Sequence, residues 1–256
     1  MKLKIGFIGS GNVATHLSHA MNTIGHDIVQ IISKNVDNAK ALAQAFSCDY
    51  TDDIKLMDQT VDVCIICVSD NQIEPIAKQL PPSDCVVVHT CGSVGLNALS
   101  SIGPNTGVFY PLQSFSKERH LDVQGIPFLL EASNPETLII LHTLAKSLSY
   151  YVLTADSETR LKYHLSAVLA NNFVNYLYTE SARLLEDSGL DFNVLKPIIK
   201  ETALKIQNLP PAEAQTGPAK RGDQPTIEKH LALIKTDKEL SKLYIQLTDA
   251  IANRNS

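Results

Sequence analysis

An imidazole, two carboxamides and a guanidinium recur along the most apolar stretch of the chain. At about 100° per residue, Arg160, His164, Asn171 and Asn175 fall within about 60° of one another on a helix otherwise rich in Leu, Phe and Tyr. Polar groups in such surroundings are costly unless each finds a partner, so something polar should face this stripe. An opposing helix, a dimer mate or a bound substrate would each serve. A histidine titrates near neutrality, which makes His164 the candidate acid or base. Asn171 is placed to orient a carbonyl or imine, with Arg160 and Asn175 as substrate contacts.

A second polar constellation, Thr216-Gly217-Pro218-Ala219-Lys220-Arg221-Gly222-Asp223, interrupts a helical, leucine-rich region. A plain connector needs turn formers but not two adjacent cations. Lys220 and Arg221 suit a substrate carboxylate or a cofactor phosphate, and Lys220 is a further catalytic candidate. Gly217 and Gly222 let backbone close over a ligand, and Asp223 can hold Arg221 in place. A surface loop pinned by an Arg221–Asp223 contact is the alternative.

The third constellation lies near the amino terminus. KIGFIGSGNVATHL carries Gly9-x-Gly11-x-x-Ala14 between an apolar run and a segment whose Val13, Leu17, Met21 and Ile24 keep helical spacing. Strand, glycine turn and helix together form a dinucleotide-binding fingerprint. Gly9 permits the tight turn, Gly11 lets backbone approach the pyrophosphate, and Ala14 allows close helix–strand packing. The N–H groups of Asn12, Val13 and Ala14 open the helix, where a positive dipole end favours phosphate. The next strand ends in Ser33-Lys34-Asn35, with no carboxylate before Asp37. A hydroxyl, an ammonium and an amide suit a 2′-phosphate, so NADP is favoured over NAD. Val68 and Ser69 at a later strand end would wall the cofactor, and the turn Thr90, Gly92, Ser93 would lie near the nicotinamide. Asp70 or Asn71 reads as a helix cap, His89 as a strand-end residue, and Phe109–Phe115 as a floor beneath the site.

The elements that must position these groups follow from periodicity. Short β-branched runs alternate with helical patterns over the first 150 or so residues, which predicts an α/β doubly wound parallel sheet. Expected strands are Lys4–Ile8, Ile28–Ser33, Val61–Val68, Cys85–Thr90, Val108–Tyr110 and Pro127–Glu131. Expected helices are Asn12–Ile24, Asp37–Phe46, Asn71–Gln79 and Pro135–Ser147. From Ser157 onward only helical patterns appear. Ser157–Ser188 reads as one buried central helix, followed by a helix ending near Asn208, a loop of about 20 residues, a helix capped by Thr226 and a last one over Asp237–Asn253. The boundary is therefore placed between a Rossmann domain, 1–154, and a smaller all-α domain, 155–256.

Composition limits the rest. A net charge of −5 argues against a nucleic-acid partner. No run is long enough for a membrane span, and the first residues enter a strand without a signal-peptide pattern, so a cytoplasmic protein is expected. Cys64 and Cys67 sit three apart in a strand, pointing to opposite faces, and read as buried small hydrophobes rather than metal ligands.

GSGNVA, the Val-Ser-Asp strand end, His-Thr-x-Gly-Ser, YPLQSF, YHLSAVLANNF and TGPAKRGD together carry a family resemblance. The chain resembles, over nearly its whole length, the two-domain bacterial NADP oxidoreductases whose helical C-terminal domain has no assigned function. More distantly, its layout is similar to ketopantoate reductase, pyrroline-5-carboxylate reductase and the β-hydroxyacid dehydrogenases. The resemblance implies a helical domain of the 6-phosphogluconate dehydrogenase C-terminal type, NADP binding and a homodimer through that domain. One departure stands out. The β-hydroxyacid dehydrogenases place a Lys one turn before an Asn on the long helix, whereas Lys162 is followed by Ser166 and His164 by Val168. His164 with Asn171 substitutes for that pair, or Lys220 does, or no such chemistry occurs. The expectation is an NADP-dependent reductase or dehydrogenase acting on a small, anionic keto acid, hydroxy acid or imine. A non-catalytic NADP-binding sensor or scaffold is the alternative, and a transferase using another nucleotide fits the glycine spacing less well.

Overall fold

The computed structural model describes residues 2–119 and 121–253. By internal contacts the chain divides into two compact units, 1–172 and 173–256. In the first, the strands are β1 (Lys4–Ile8), β2 (Asp27–Ile32), β3 (Asp49–Thr51), β4 (Val63–Ile66), β5 (Val86–His89), β6 (Thr106–Pro111), β7 (Phe128–Ala132) and β8 (Val152–Thr154). The helices are α1 (Asn12–Thr23), α2 (Val36–Gln44), α3 (Asp70–Ala77), α4 (Pro135–Leu148) and α5 (Ser157–Ala167).

The strands form one sheet in the order β3-β2-β1-β4-β5-β6-β7-β8. The first six run parallel, and β7 lies antiparallel to β6 with β8 parallel to β7. The doubly wound sheet is thus as expected, with β3 and β8 added at its edges. Each is three residues long, too short for a period of two to be read, and β3 is polar.

Strand residues alternate between two cores. Phe7, Ile31, Val63, Ile65 and Val88 pack with Leu17, Met21, Leu42, Leu141 and Leu144 of α1, α2 and α4. Ile8, Ile32, Cys64, Ile66 and Val87 pack on the other face with Ile73 and Ile76 of α3 and with Leu99. Cys64 and Cys67 accordingly belong to different cores. Burial pushes the Cys67 thiol up to about 12, so it stays a neutral apolar filler.

After α5 the helical run continues as a π turn over Val168–Asn172. The second unit then holds α6 (Phe173–Glu186), α7 (Lys196–Lys205), α8 (Pro211–Ala214), α9 (Pro218–Arg221), α10 (Gln224–Leu233) and α11 (Lys238–Asn253). Two features differ from expectation. The long helix is not buried, since Leu165, Leu169, Phe173 and Tyr176 are all more than half exposed. The segment read as loop contains α8 and α9, each with a proline in its first turn, where the missing N–H costs nothing. Among the described residues no helix is long and apolar enough to cross a membrane.

His89 closes β5 and is completely buried. Burial, aided by the Arg160 charge, pushes its imidazole from 6.5 down to about 4. The unfolded chain therefore takes up this proton near pH 6.5, whereas the folded protein resists it until about pH 4. The stabilisation is complete above that window and is lost as pH falls through it. Urea unfolding across this range should show declining stability, and His89→Gln, which keeps an acceptor, should make the decline shallower.

Candidate functional site

The glycine turn after β1 joins three strand ends. Gly9 has φ +111°, a left-handed backbone, and its N–H donates to the Ile32 carbonyl at 2.7 Å. A Cβ there would run into the Cys67 carbonyl and the Val68 side chain. Gly11 is different: a Cβ on it would meet nothing within 4 Å. Packing does not demand glycine at this position, and the space over the helix start is open. Gly11 caps α1 with no side-chain hydrogen bond, so the first-turn N–H groups of Asn12 to Ala14 carry no such cap. Ala14 is fully buried against the strands. The Asn12 side chain donates to the Phe115 carbonyl at 2.9 Å, and His16 bonds the Ser116 carbonyl, which ties the segment after β6 across α1. The Asn12 side chain is thereby engaged, and the backbone N–H groups at the helix start remain without a side-chain cap.

A cavity of about 320 Å³ opens at the ends of β1, β2 and β4, lined among others by Gly9, Ser33, Lys34, Val68, Asp52 and Gln72. Ser10 donates to the Ser33 hydroxyl at 2.9 Å, and the Lys34 ammonium donates to the Gln72 side chain at 3.3 Å. Asn35 uses its carboxamide oxygen to cap α2, accepting from the Asn38 N–H at 2.9 Å, which leaves its NH₂ for other work. Asp52 and Gln72 did not figure in the sequence reading. Thr51 pairs with Ile32 across β2 and β3, and that pairing brings Asp52 beside Ser33.

Further along the sheet, Ser69 precedes α3 and donates to the Asn71 side chain at 2.9 Å. Asp70 does not cap α3, contrary to expectation, because its carboxylate accepts from the Ser93 hydroxyl at 2.5 Å. Burial pushes that carboxyl up, but hydrogen bonds from Ser93 and Cys91 outweigh it and hold the pKa below the ordinary value. Thr90 leans on the Ile66 carbonyl at 3.4 Å. The turn Thr90–Ser93 is thus anchored to β4 on one side and to α3 on the other.

Gly92 lies beneath His164. A Cβ on Gly92 would come within 2.6 Å of His164 Nδ1 and 2.7 Å of Tyr110 Cζ. Its absence lets Tyr110, on β6, hydrogen-bond His164 Nδ1 at 3.0 Å. His164 and Asn171 together line a cavity of about 370 Å³ with Tyr110, Gln113, Ser114 and Val168. The two residues thus share a cavity, but not through simple helical spacing. The π turn separates them, so spacing of 100° per residue does not hold from His164 to Asn171 or on to Asn175.

Arg160 departs from expectation. It is completely buried, and its guanidinium donates to Glu131 on β7, to the Val94 carbonyl at 2.6 Å and to the Ser157 hydroxyl at 3.2 Å. Ser157 in turn donates to Glu131 at 2.8 Å and accepts from the Leu96 N–H at 3.1 Å. Through these bonds Arg160 holds α5 to the sheet, while its buried Nε has no hydrogen-bond partner among the described residues. Nothing in the sequence marked Glu131 as its partner.

In the second unit, Asn175 is exposed on α6. Lys220 and Arg221 fill the last turn of α9, between Gly217 at φ +108° and Gly222 at φ +65°. Arg221 and Asp223 stand 3.8 Å apart, with the Arg221 side chain 64% exposed. Asp223 has a firmer duty, capping α10 by accepting from the Thr226 N–H at 3.2 Å and its hydroxyl at 2.8 Å. Asp223, not Thr226, is thus the cap of that helix. Among the described residues no cluster of His, Cys, Asp or Glu could hold a metal ion.

Two family models match the chain. Residues 4–91 match "NADP oxidoreductase coenzyme F420-dependent", and residues 126–251 match a domain of unknown function, DUF2520. A solved protein of Bacteroides fragilis, provisionally named an NADP oxidoreductase, is 38% identical over 98% of both chains, with a TM-score of 0.91. A pyrroline-5-carboxylate reductase from Streptococcus pyogenes shares the fold at 14% identity, over 98% of this chain and 99% of its own, with a TM-score of 0.65. A reductive aminase from Aspergillus terreus, solved with NADPH and ethyl levulinate, does so at 14% identity, 99% and 95% coverage and a TM-score of 0.76. No curated protein matches the sequence. The fold is of the Rossmann type, and the family match and the Bacteroides relative point to an NADP-dependent oxidoreductase. The chain belongs to the NADP oxidoreductase family represented by the Bacteroides protein.

Arg160→Met should lower the unfolding free energy by about 3 kcal/mol in urea, because it leaves Glu131 and the Val94 carbonyl without their partner. An unchanged midpoint would show that the pair is not what anchors α5.

Proposed function

We propose that this protein is an NADP-dependent reductase or dehydrogenase acting on a small, anionic keto acid, hydroxy acid or imine. The observation that carries this reading is the single cavity shared by His164 and Asn171, set beside the Gly92 turn at the carboxyl ends of the strands. Ligands of open α/β sheets collect at that edge.

The residues at the glycine turn fit the cofactor: an uncapped helix start, open space over Gly11, and Ser33 and Lys34 in the adjoining cavity. In this reading the N–H groups of Asn12, Val13 and Ala14 hold the pyrophosphate. Ser33, Lys34 and the Asn35 NH₂ meet the 2′-phosphate, Val68 and Ser69 wall the nucleotide, and Thr90, Gly92 and Ser93 border the nicotinamide. NADP, when bound, supplies or accepts the hydride. His164 gives a proton to, or takes one from, the substrate oxygen or nitrogen, and Asn171 orients that group. On the second unit, Lys220 and Arg221 are the groups suited to an anion and Asn175 a further polar group, while Asp223 serves by capping the helix that follows them.

Residues 1–154 thus hold the cofactor and residues 155–256 supply substrate groups. A cytoplasmic setting is part of the reading, and the five free cysteines support it. A panel of keto acids and imines, followed by NADPH oxidation, tests the assignment. At least one should be turned over. Lys34→Ala should weaken NADP about tenfold with little effect on NAD, and His164→Ala should cut turnover about a hundredfold. Tight nucleotide binding with no turnover across the panel would favour the non-catalytic sensor or scaffold.

The helical half is also the surface of a homodimer in this reading. Leu165, Leu169, Phe173, Ile198 and Leu233 are each more than half exposed, more apolar surface than a lone helical half would keep in water. Sedimentation equilibrium should return twice the chain mass, and Leu165→Asp with Phe173→Asp should return one.

A further inference from the structure

We propose that Tyr110 is the positioning residue for His164, fixing which ring nitrogen faces the substrate; this rests on the role of His164 proposed above. Four observations converge on the pair. The Tyr110 hydroxyl lies 3.0 Å from His164 Nδ1, and the two rings meet edge to face at 6.0 Å. Both side chains line the cavity that also holds Asn171. Gly92 is the residue beneath them, and any Cβ at that position would drive into both. Tyr110 itself sits on β6, with its backbone paired to Leu129 of β7, so the hydroxyl is presented by a rigid strand rather than by a loop.

With Nδ1 occupied by Tyr110, Nε2 is the ring nitrogen left for a substrate. A phenol suits this task better than a carboxylate. Its oxygen both donates and accepts, so it can donate to Nδ1 of a neutral imidazole that carries its proton on Nε2. After a small hydroxyl rotation it can accept from the Nδ1–H of the imidazolium. When Nε2 gives up its proton, the Nδ1–H tautomer is still satisfied by the same oxygen. A carboxylate only accepts, so it would require a proton on Nδ1 and bias the histidine toward remaining an imidazolium. Burial pushes the Tyr110 phenol up to about 12, so it stays protonated while His164 cycles. The charged and titratable groups around the pair are Asp70 at the start of α3, Cys91 in the turn after β5, and Arg160 one turn earlier on α5. None of them hydrogen-bonds His164.

The test needs no substrate. In long-range ¹H–¹⁵N spectra of the ¹⁵N-histidine-labelled protein, recorded across a pH series, the neutral form of His164 should appear as a single tautomer protonated on Nε2, assigned by its loss in His164→Ala. In Tyr110→Phe, which keeps the ring, the signal should become a mixture of both tautomers. Gly92→Ala should reproduce that mixture by wedging the pair apart. Once a substrate is found, Tyr110→Phe should lower kcat about tenfold or more with KM changed less than twofold. A His164 tautomer unaltered by Tyr110→Phe would overturn the proposal, even if His164 proved essential to turnover. An inert His164→Ala in the substrate panel would instead defeat the parent reading, whatever the spectra showed.

Discussion

The site depends on a buried ion pair. Arg160 on α5 and Glu131 on β7 meet in the interior, and Ser157 and the Val94 carbonyl complete the network. A guanidinium without a partner could not remain there, because desolvating an isolated charge costs far more than any packing returns. The pair therefore dictates where the first turns of α5 lie against the sheet. His164 stands four residues further along the same face, so the anchor that secures Arg160 also sets His164 over Gly92. The contact-based unit accordingly runs through α5 and ends at Asn172, within the helical run.

Around this anchor, glycine is used for two separate physical reasons. At Gly9 the backbone is left-handed and crowded by the Cys67 carbonyl, so the fold itself excludes a side chain. Gly92 is excluded from bearing one by the His164 and Tyr110 side chains that occupy its space. Gly11 has neither constraint. A small residue that the protein does not need for its own packing, at a helix start with no side-chain cap, is what an approaching anion requires. The three positions are alike as letters and distinct as physics.

Much of this was legible beforehand. The glycine turn, five of the six parallel strands and the cysteines on opposite faces all follow from local patterns with a period of two or 3.6. Other features were hidden because their partners are remote. Asp70 has the sequence signature of a cap, yet Ser93, 23 residues away, claims its carboxylate. Arg160 read as a ligand contact, and Glu131 was merely the end of a strand. The long helix read as buried because it is apolar all round, whereas within one chain much of that surface is uncovered.

The sequence by itself determined the kind of molecule this is: a dinucleotide fold followed by a helical half that carries a cationic turn. Those properties reside in residue types at short spacing, where covalent geometry sets who is near whom. Tertiary structure alone decided the duties within that set. It tied Arg160 into a buried network, set the Tyr110 hydroxyl against His164, brought Asp52 to the cavity of Ser33 and placed a π turn between His164 and Asn171. Such outcomes depend on which distant strand or turn supplies a partner for each buried polar group. That matching is settled only when the whole sheet is assembled.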